Sequence, residues 1–392
     1  MPYFIASTVL CIIGLIVIYW IHDQYHLDLI VTPVPPPMNP PLISVCIPAR
    51  NEAANIRNCV NSLIAQDYPN LEIIAVDDRS SDSTLDQLKE FAARDSRVRA
   101  ISGSDLPAGW AGKPHALHQA SAVARGEWLC FVDADTVLAP QALASCHAKA
   151  IETRADLFTT LHRQVLETFW EKVVMPLIMT ALSVGFPPRK VNDPARRDAV
   201  ANGQFILIRR SVYDLIGGHA RVKDHIVEDK AIAELVKWNG HRLVIANGGQ
   251  FIRTRMYTSL ASMWEGWTKN IYLGLREHTV MLFLGAFGAA LGMIAALFLP
   301  IWPILGGIWY FNEGGWLALG VIVQALLVWG ALLYARVQVA RRMNIPARYA
   351  WTTPLGAGIF AGMMLASAWK VISGQGVTWR GRKYLSNKRG NR

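Results

Sequence analysis

Between Leu42 and about residue 275, this chain repeats one pattern: a short apolar run, a polar or acidic break, then an amphipathic stretch. Ile43 to Ile47, Ile73 to Val76 and Trp128 to Val132 are the clearest runs. The stretches between them, about Glu52 to Ala65, Thr84 to Arg94 and His115 to Arg125, have helical spacing. Strands alternating with helices predict an α/β domain with a mostly parallel sheet covered on both faces, because parallel neighbours need a crossover and a helix supplies it. Ligands bind such open sheets beyond the carboxyl ends of the strands. Here those ends carry Ala49-Arg50-Asn51-Glu52, Asp77-Asp78 and Asp133-Ala134-Asp135. No GxGxxG follows the first run and GxxxxGK[ST] is missing, so neither a dinucleotide fingerprint nor a P-loop is supported.

The flanks of this region belong in another solvent. Residues 1 to 21 carry no charged side chain and are long enough to cross a hydrocarbon core of roughly 30 Å as a helix. A cleavable signal peptide fits less well, since no positive residue precedes the run and no small-x-small pattern follows it. From Thr279 to Ala335 the sole charged residue is Glu313, inside the break Phe311 to Gly315, which predicts crossings at about 280–300 and 317–335. A third apolar segment, 351–372, is interrupted by Pro354 and several glycines and reads as spanning or re-entrant. The whole chain is 52% hydrophobic and 17% charged, against roughly 25% charged in soluble domains. The organisation expected is an anchor over 1–22, a proline-rich linker over 23–41, a catalytic domain over 42–275, and a membrane region over 276–392. Thr32 to Pro41 favours a stiff polyproline II spacer.

Charge orients these pieces. Arg336, Arg341, Arg342 and Arg348 follow the second crossing and mark a cytoplasmic loop by the positive-inside rule. The net charge of +10 is concentrated in a tail of Arg380, Arg382, Lys383, Lys388, Arg389 and Arg392, which suits anionic lipid. No basic stripe with interleaved aromatics is present, so nucleic acid is not an expected partner. The five cysteines, Cys11, Cys46, Cys59, Cys130 and Cys146, form no CxxC pair and indicate neither a zinc site nor a disulfide framework. Histidines 115, 118, 219, 225 and 241 lack metal-ligand spacing and read as structural. Val173 to Phe186 is too short to span a bilayer. It reads as a helix at the lipid surface or a re-entrant segment, with a buried core helix as the alternative.

Three acidic groups carry chemistry. Asp133 and Asp135 are two apart at a strand end, so their side chains project to one side and can meet on one divalent ion. Hard cations such as Mg²⁺ or Mn²⁺ take one or two carboxylates plus substrate phosphates. A solvated loop is the plainer reading of two aspartates, but the buried run Leu129 to Val132 in front of them favours a site. Asp77 and Asp78 repeat the arrangement, while Ser81, Asp82 and Ser83 suit the cap of the following helix. Glu228 and Asp229 begin a helix of about Asp229 to Trp238, where acidic residues are favoured by the helix dipole whether or not they do chemistry.

Taken in order, Ile47-Pro48-Ala49-Arg50-Asn51-Glu52, Val76-Asp77-Asp78-Arg79-Ser80, Gly112-Lys113, Asp133-Ala134-Asp135 and Glu228-Asp229 resemble a family 2 glycosyltransferase over about residues 42 to 275. The resemblance implies a GT-A fold, Rossmann-like, that binds a nucleotide-diphosphate sugar and inverts the anomeric centre. It implies uridine contacts from Pro48, Glu52 and Asp78 with Asp77 beside it, and Lys113 nearby. Asp135 with Asp133 would hold Mn²⁺ or Mg²⁺ on the diphosphate, and Asp229 would be the general base. Asn202, Gly203, Gln204 and Glu228 would line the donor-sugar and acceptor side.

One departure narrows the expectation. Processive members of that family carry QxxRW after the base, whereas Met263-Trp264-Glu265-Gly266-Trp267-Thr268-Lys269 keeps only the tryptophan. Trp267 reads as a wall of the acceptor site or as an interfacial aromatic, with Lys269 as a phosphate donor beside it. The layout is most similar to the hopene-associated, carotenoid and ceramide glycosyltransferases. The expected reaction is transfer of one hexose or N-acetylhexosamine from a UDP-sugar to a lipid hydroxyl, a hopanoid-like one for example. It would occur at the cytoplasmic face of a bacterial inner membrane, catalysed by a multi-pass protein. A processive polysaccharide synthase and a non-catalytic scaffold are the alternatives.

Overall fold

The computed structural model describes residues 2–23, 29–275, 279–298, 315–373, 375–379 and 382–384. The chain divides into two compact units, one formed by Leu27–Val165 with Phe186–Met256, the other by Met1–His26, Leu166–Gly185 and Tyr257–Arg392.

The first unit is built on a seven-stranded sheet of spatial order β3-β2-β1-β4-β8-β6-β9. Its strands are β1 (Ile43–Ala49), β2 (Leu71–Asp77), β3 (Val98–Ser102), β4 (Trp128–Phe131), β6 (Leu157–Leu161), β8 (Ile206–Arg209) and β9 (Leu243–Asn247). β1 runs parallel to β2 and β4, β2 to β3, and β6 to β9, while β8 is antiparallel to both β4 and β6. The expected mostly parallel sheet is therefore present, with one reversed strand.

Side chains alternate across this sheet as the period-2 geometry of a strand requires. Val45, Ile47, Ile73, Ala75, Trp128 and Cys130 enter one core with Ile56, Cys59, Val60, Leu63, Leu88 and Phe91. Cys46, Ile74, Val76, Leu129 and Phe131 enter the opposite core with Ala116, Leu117, Ala120, Ile232 and Val236. Both faces are apolar because helices cover both, which is why these strands read as near-continuous hydrophobic runs.

A small second sheet joins β5 (Thr136–Leu138), β10 (Ile252–Thr254) and β7 (Arg163–Gln164). The helices expected from sequence form as Ile56–Ile64, Thr84–Arg94 and Gly112–Val123. Part of the segment expected as a stiff proline-rich spacer is bonded to the unit. Ile30 bridges Asn247, the Val34 amide donates to Ser145 Oγ at 3.2 Å, and Tyr68 Oη donates to the Pro41 carbonyl at 2.8 Å. Prolines have no amide to spend, so their carbonyls and the interspersed amides do the attaching.

The second unit is helical. Pro2–Asp23 and Gly315–Arg342 pack together through Gln324 Nε2, which donates to Thr8 Oγ1 at 2.7 Å. Among the described residues, Gly315–Arg342 is the helix with the length and sustained apolarity to cross a membrane. Thr279–Phe298 is a further apolar helix, while the expected break around Glu313 and most of the basic tail lie outside the described residues. Thr353–Ser373 is one unbroken helix despite Pro354. A proline in the first turn gives up an amide that has no helical partner anyway. Its glycines serve close packing: a Cβ on Gly356 would lie 2.5 Å from the Val173 carbonyl oxygen. That neighbour belongs to the helix Phe169–Gly185, whose Val173, Val174, Met175 and Ile178 are buried while Phe169 and Leu182 are exposed.

Candidate active site

The sheet brings its chemistry to one edge. β1, β2 and β4 end there, and so does β6, because two successive antiparallel pairings return it to the direction of β4. β8, being reversed, starts there, so Asn202-Gly203-Gln204 enters the same edge. Strand order reverses between β1 and β4, the crevice at which open α/β sheets bind ligands.

The loops after β1 and β2 are locked to one another. The Asn51 amide donates to Ser80 Oγ at 2.9 Å and the Ser81 amide to Asn51 Oδ1 at 2.8 Å. Asn51 and Arg79 both take positive φ, 52° and 55°, a conformation that costs a non-glycine residue and is retained here by these cross-links. Glu52 is buried, its amide bonded to Thr84 Oγ1 and its carboxylate accepting from Asn55 Nδ2 at 2.8 Å. Asp82 ties the loops further, accepting from the Ala53 and Thr84 amides. Burial pushes its carboxyl up, but these bonds and that from the Thr84 hydroxyl hold it below its usual range. Asp77 is 2% exposed; its Oδ2 accepts from the Ser80 amide, and its Oδ1 has no partner among the described residues. A buried carboxylate oxygen without a donor is costly, so a ligand N–H or O–H is what this oxygen lacks. Pro48 stands opposite Val76 in register, and the Asp78 amide closes the pair on the Ala49 carbonyl at 2.7 Å.

A second cluster lies at the ends of β4 and β8. Lys113 Nζ is 2.6 Å from Asp133 Oδ1 and 2.7 Å from Glu228 Oε1. Asp229 accepts from the Gly203 amide at 2.9 Å on Oδ2 and from the Lys230 amide at 2.7 Å on Oδ1. The Gly203 position needs its bare backbone, since a Cβ there would meet Asp229 Oδ2 at 3.0 Å and Lys113 Nζ at 3.1 Å. Burial would depress the Lys113 ammonium, yet Asp133, Glu228 and Asp229 hold it well above its usual pKa. Burial raises the Glu228 carboxyl, Asp229 and Asp133 add to that, and Lys113 opposes it.

Asp133 and Asp135 are half-buried on either side of the turn that leaves β4. The Asp135 carbonyl accepts from Thr254 Oγ1 at 3.2 Å, and Thr254 in turn accepts from Gln204 Nε2 at 3.3 Å. Carboxylate oxygens are the hard ligands that a Mg²⁺ or Mn²⁺ ion takes. Among the described residues no group of three His, Cys, Asp or Glu side chains is placed to hold a metal. The remaining coordination would come from phosphate and water, which is how such ions are commonly bound.

His162 was missed by the sequence reading. It follows β6 and faces Asn202 Nδ2 at 2.9 Å on one ring nitrogen and Gln164 Nε2 at 3.0 Å on the other. Burial pushes its pKa down to about 4, against the opposing effects of Thr160, Gln204 and Asp133, so the ring is neutral at pH 7. Its signal was available: a histidine directly after a short buried run occupies the strand-end position that drew attention to Asp133. Trp267 and Lys269 belong to the helical unit. Trp267 is 6% exposed, and its indole N–H has no partner among the described residues. Lys269 is half-buried.

This arrangement has relatives. Residues 44–217 match the model of glycosyl transferase family 2. The chain carries a family 2 glycosyltransferase domain. The 4,4'-diaponeurosporenoate glycosyltransferase of Staphylococcus aureus strain MRSA252 is 26% identical over 265 residues, 65% of this chain and 69% of that protein. A mannosyltransferase from Pyrobaculum calidifontis, solved in complex with GDP-Man and Mn²⁺, superposes with a TM-score of 0.54 at 19% identity, covering 94% of this chain and 97% of that one. That likeness establishes the GT-A type of fold. The family supplies the reaction class, transfer of a sugar from a nucleotide sugar.

Proposed function

We propose that this glycosyltransferase moves one sugar from a UDP-sugar to the hydroxyl of a membrane lipid, with inversion, at the cytoplasmic membrane face. The observation that carries it is the Asp229 carboxylate, held by two backbone amides in a cluster that Lys113 joins to Asp133. The unpartnered oxygen of Asp77 is the acceptor for a uracil imide N–H, with Pro48, Glu52 and Asp78 forming the rest of the base pocket. Asp135 with Asp133 would hold Mn²⁺ or Mg²⁺ on the diphosphate, where a bound cation acts as a Lewis acid that offsets the charge of the departing nucleotide.

Asp229 keeps a free lone pair on each oxygen after accepting the two amides, and takes the acceptor hydroxyl's proton as that oxygen attacks the anomeric carbon. The bond from that carbon to the phosphate oxygen breaks on the opposite face, and the nucleotide diphosphate leaves. Asn202, Gly203, Gln204 and Glu228 would line the donor-sugar and acceptor side. The apolar helices Pro2–Asp23, Thr279–Phe298, Gly315–Arg342 and Thr353–Ser373 supply the membrane region, and the arginines after the second crossing set its orientation. The carotenoid-type name of the relative supports a lipid acceptor.

The test is release of UDP by the purified protein given Mn²⁺, a UDP-sugar and a bacterial lipid extract, with sizing of the labelled product. One sugar per lipid is the expected product. Turnover undiminished in both Asp135→Ala and Asp229→Asn would sink the assignment, and a ladder of many sugars would replace single transfer by polymerisation.

A further inference from the structure

The Lys113 ammonium lies on a carboxylate that the divalent ion is to use. Its nitrogen bridges Asp133 Oδ1 and Glu228 Oε1 at 2.6 and 2.7 Å, and the bare backbone of Gly203 leaves room beside it. Glu228 is 3% exposed, so its charge depends on this partner rather than on water. A divalent ion and an ammonium cannot both sit against Asp133 without strong like-charge repulsion at close range. The long, flexible stem of lysine allows its charge to be moved instead.

We propose that Lys113 is a built-in counter-cation for Asp133, displaced from it only when the ion arrives together with a nucleotide diphosphate. The inference rests on the metal and diphosphate reading given above. An ion arriving alone strips Asp133 from Lys113 and leaves two cations side by side with Glu228 as the ammonium's remaining close partner. An ion arriving with a diphosphate brings negative charge with which Lys113 can pair. Nucleotide therefore tightens the ion, and by linkage the ion tightens nucleotide by the same factor. Lys113 is a positioning residue in this scheme: it keeps the acidic cluster compact before substrate binds and discourages occupation by the ion alone.

The test uses the full chain in detergent micelles, with Mn²⁺ binding followed by electron paramagnetic resonance and by calorimetry, with and without UDP. In the wild type, Mn²⁺ alone binds weakly and UDP tightens it by roughly 10- to 100-fold, within the usual range for coupled sites. Lys113→Gln binds Mn²⁺ alone about tenfold more tightly than wild type, and its UDP coupling shrinks, as expected when competition is removed. Lys113→Arg, which keeps the charge, retains the wild-type pattern. Equal affinity of wild type and Lys113→Gln for Mn²⁺ alone overturns the inference while leaving the metal site standing. If Lys113→Gln does not fold, Glu228→Gln decides: with its second partner gone the ammonium stays on Asp133, and Mn²⁺ alone binds more weakly than in wild type. Unchanged affinity there is equally fatal. No Mn²⁺ binding by wild type even with UDP overturns the metal reading, and the inference with it.

Discussion

The two acidic sites on the sheet edge are held in opposite ways. The loops after β1 and β2 are fixed by donors to backbone and side-chain oxygens: backbone amides, Ser80, Thr84, Asn51 and the Arg50 guanidinium, which donates to the Asp78 and Arg79 carbonyls, hold them, and among the described residues one oxygen of Asp77 is left over. The Asp133, Glu228 and Asp229 cluster is held partly by charge, through one lysine that touches two of its three carboxylates. A lattice anchored on backbone atoms gives a preformed pocket, suited to a flat base that brings no charge. An ion-paired cluster can exchange partners when charged phosphate enters, so its geometry depends on what is bound.

Four substitutions or conditions sharpen this contrast. Asp229→Asn removes the base and is expected to lower kcat by about 10² to 10⁴, the usual worth of a positioned proton acceptor, with UDP affinity unchanged by calorimetry. Asp77→Asn places an amide NH₂ where a lone pair is needed and is expected to weaken UDP binding by about 10- to 100-fold, the loss of a charged hydrogen bond, with kcat at saturation retained. Gly203→Ala pushes a methyl against Asp229 and Lys113; a drop of about tenfold in kcat, with little change in UDP affinity, is the result expected of a displaced base. Equal effects of Asp77→Asn and Gly203→Ala on both parameters would erase the distinction between the two sites.

The smallest effect is on stability. His219 lies behind the second cluster, 2% exposed, bonded to Tyr213 Oη and set edge-on to Phe131. Burial, aided by Lys113 and His118, pushes its pKa down from 6.5 to about 3, so the folded chain keeps it neutral. Between those two values the unfolded chain binds the extra proton, so stability is full above about pH 6.5 and declines as pH falls toward 3. The melting midpoint of the wild type is expected to fall by a few degrees between pH 7 and pH 5, a slope that His219→Gln flattens. A midpoint independent of pH across this range would contradict the buried neutral ring.

Much of this was legible in the residues. The runs at Ile43, Ile73 and Trp128 appear as strands at nearly their expected bounds, because a strand covered on both faces must be apolar throughout. Thr84–Arg94 forms as read, since its buried positions Leu88 and Phe91 follow helical spacing. β6 was not read as a strand, and His162 was lost with it. Leu157–Leu161 carries two threonines in its middle, both buried, whose hydroxyls blur the apolar signal. The proline-rich stretch is legible as a stiff spacer, because proline fixes φ, but its residues say nothing about which neighbour donates to their carbonyls.

The sequence by itself determined that an α/β domain would carry carboxylates at its strand ends, because strand period, helix period and turn chemistry are local. It also determined that both flanks would be apolar helices, since length and the lack of charge suffice for that. Only the tertiary structure decided which carboxylates share a cation. Lys113 lies 20 residues before Asp133 and 115 before Glu228 in the chain, and no local rule relates them. They meet because β8 runs backwards between β4 and β6, delivering Gly203 to the edge where the helix Glu228–Trp238 begins. Strand direction is a long-range choice, and the charges it gathers take their properties from one another.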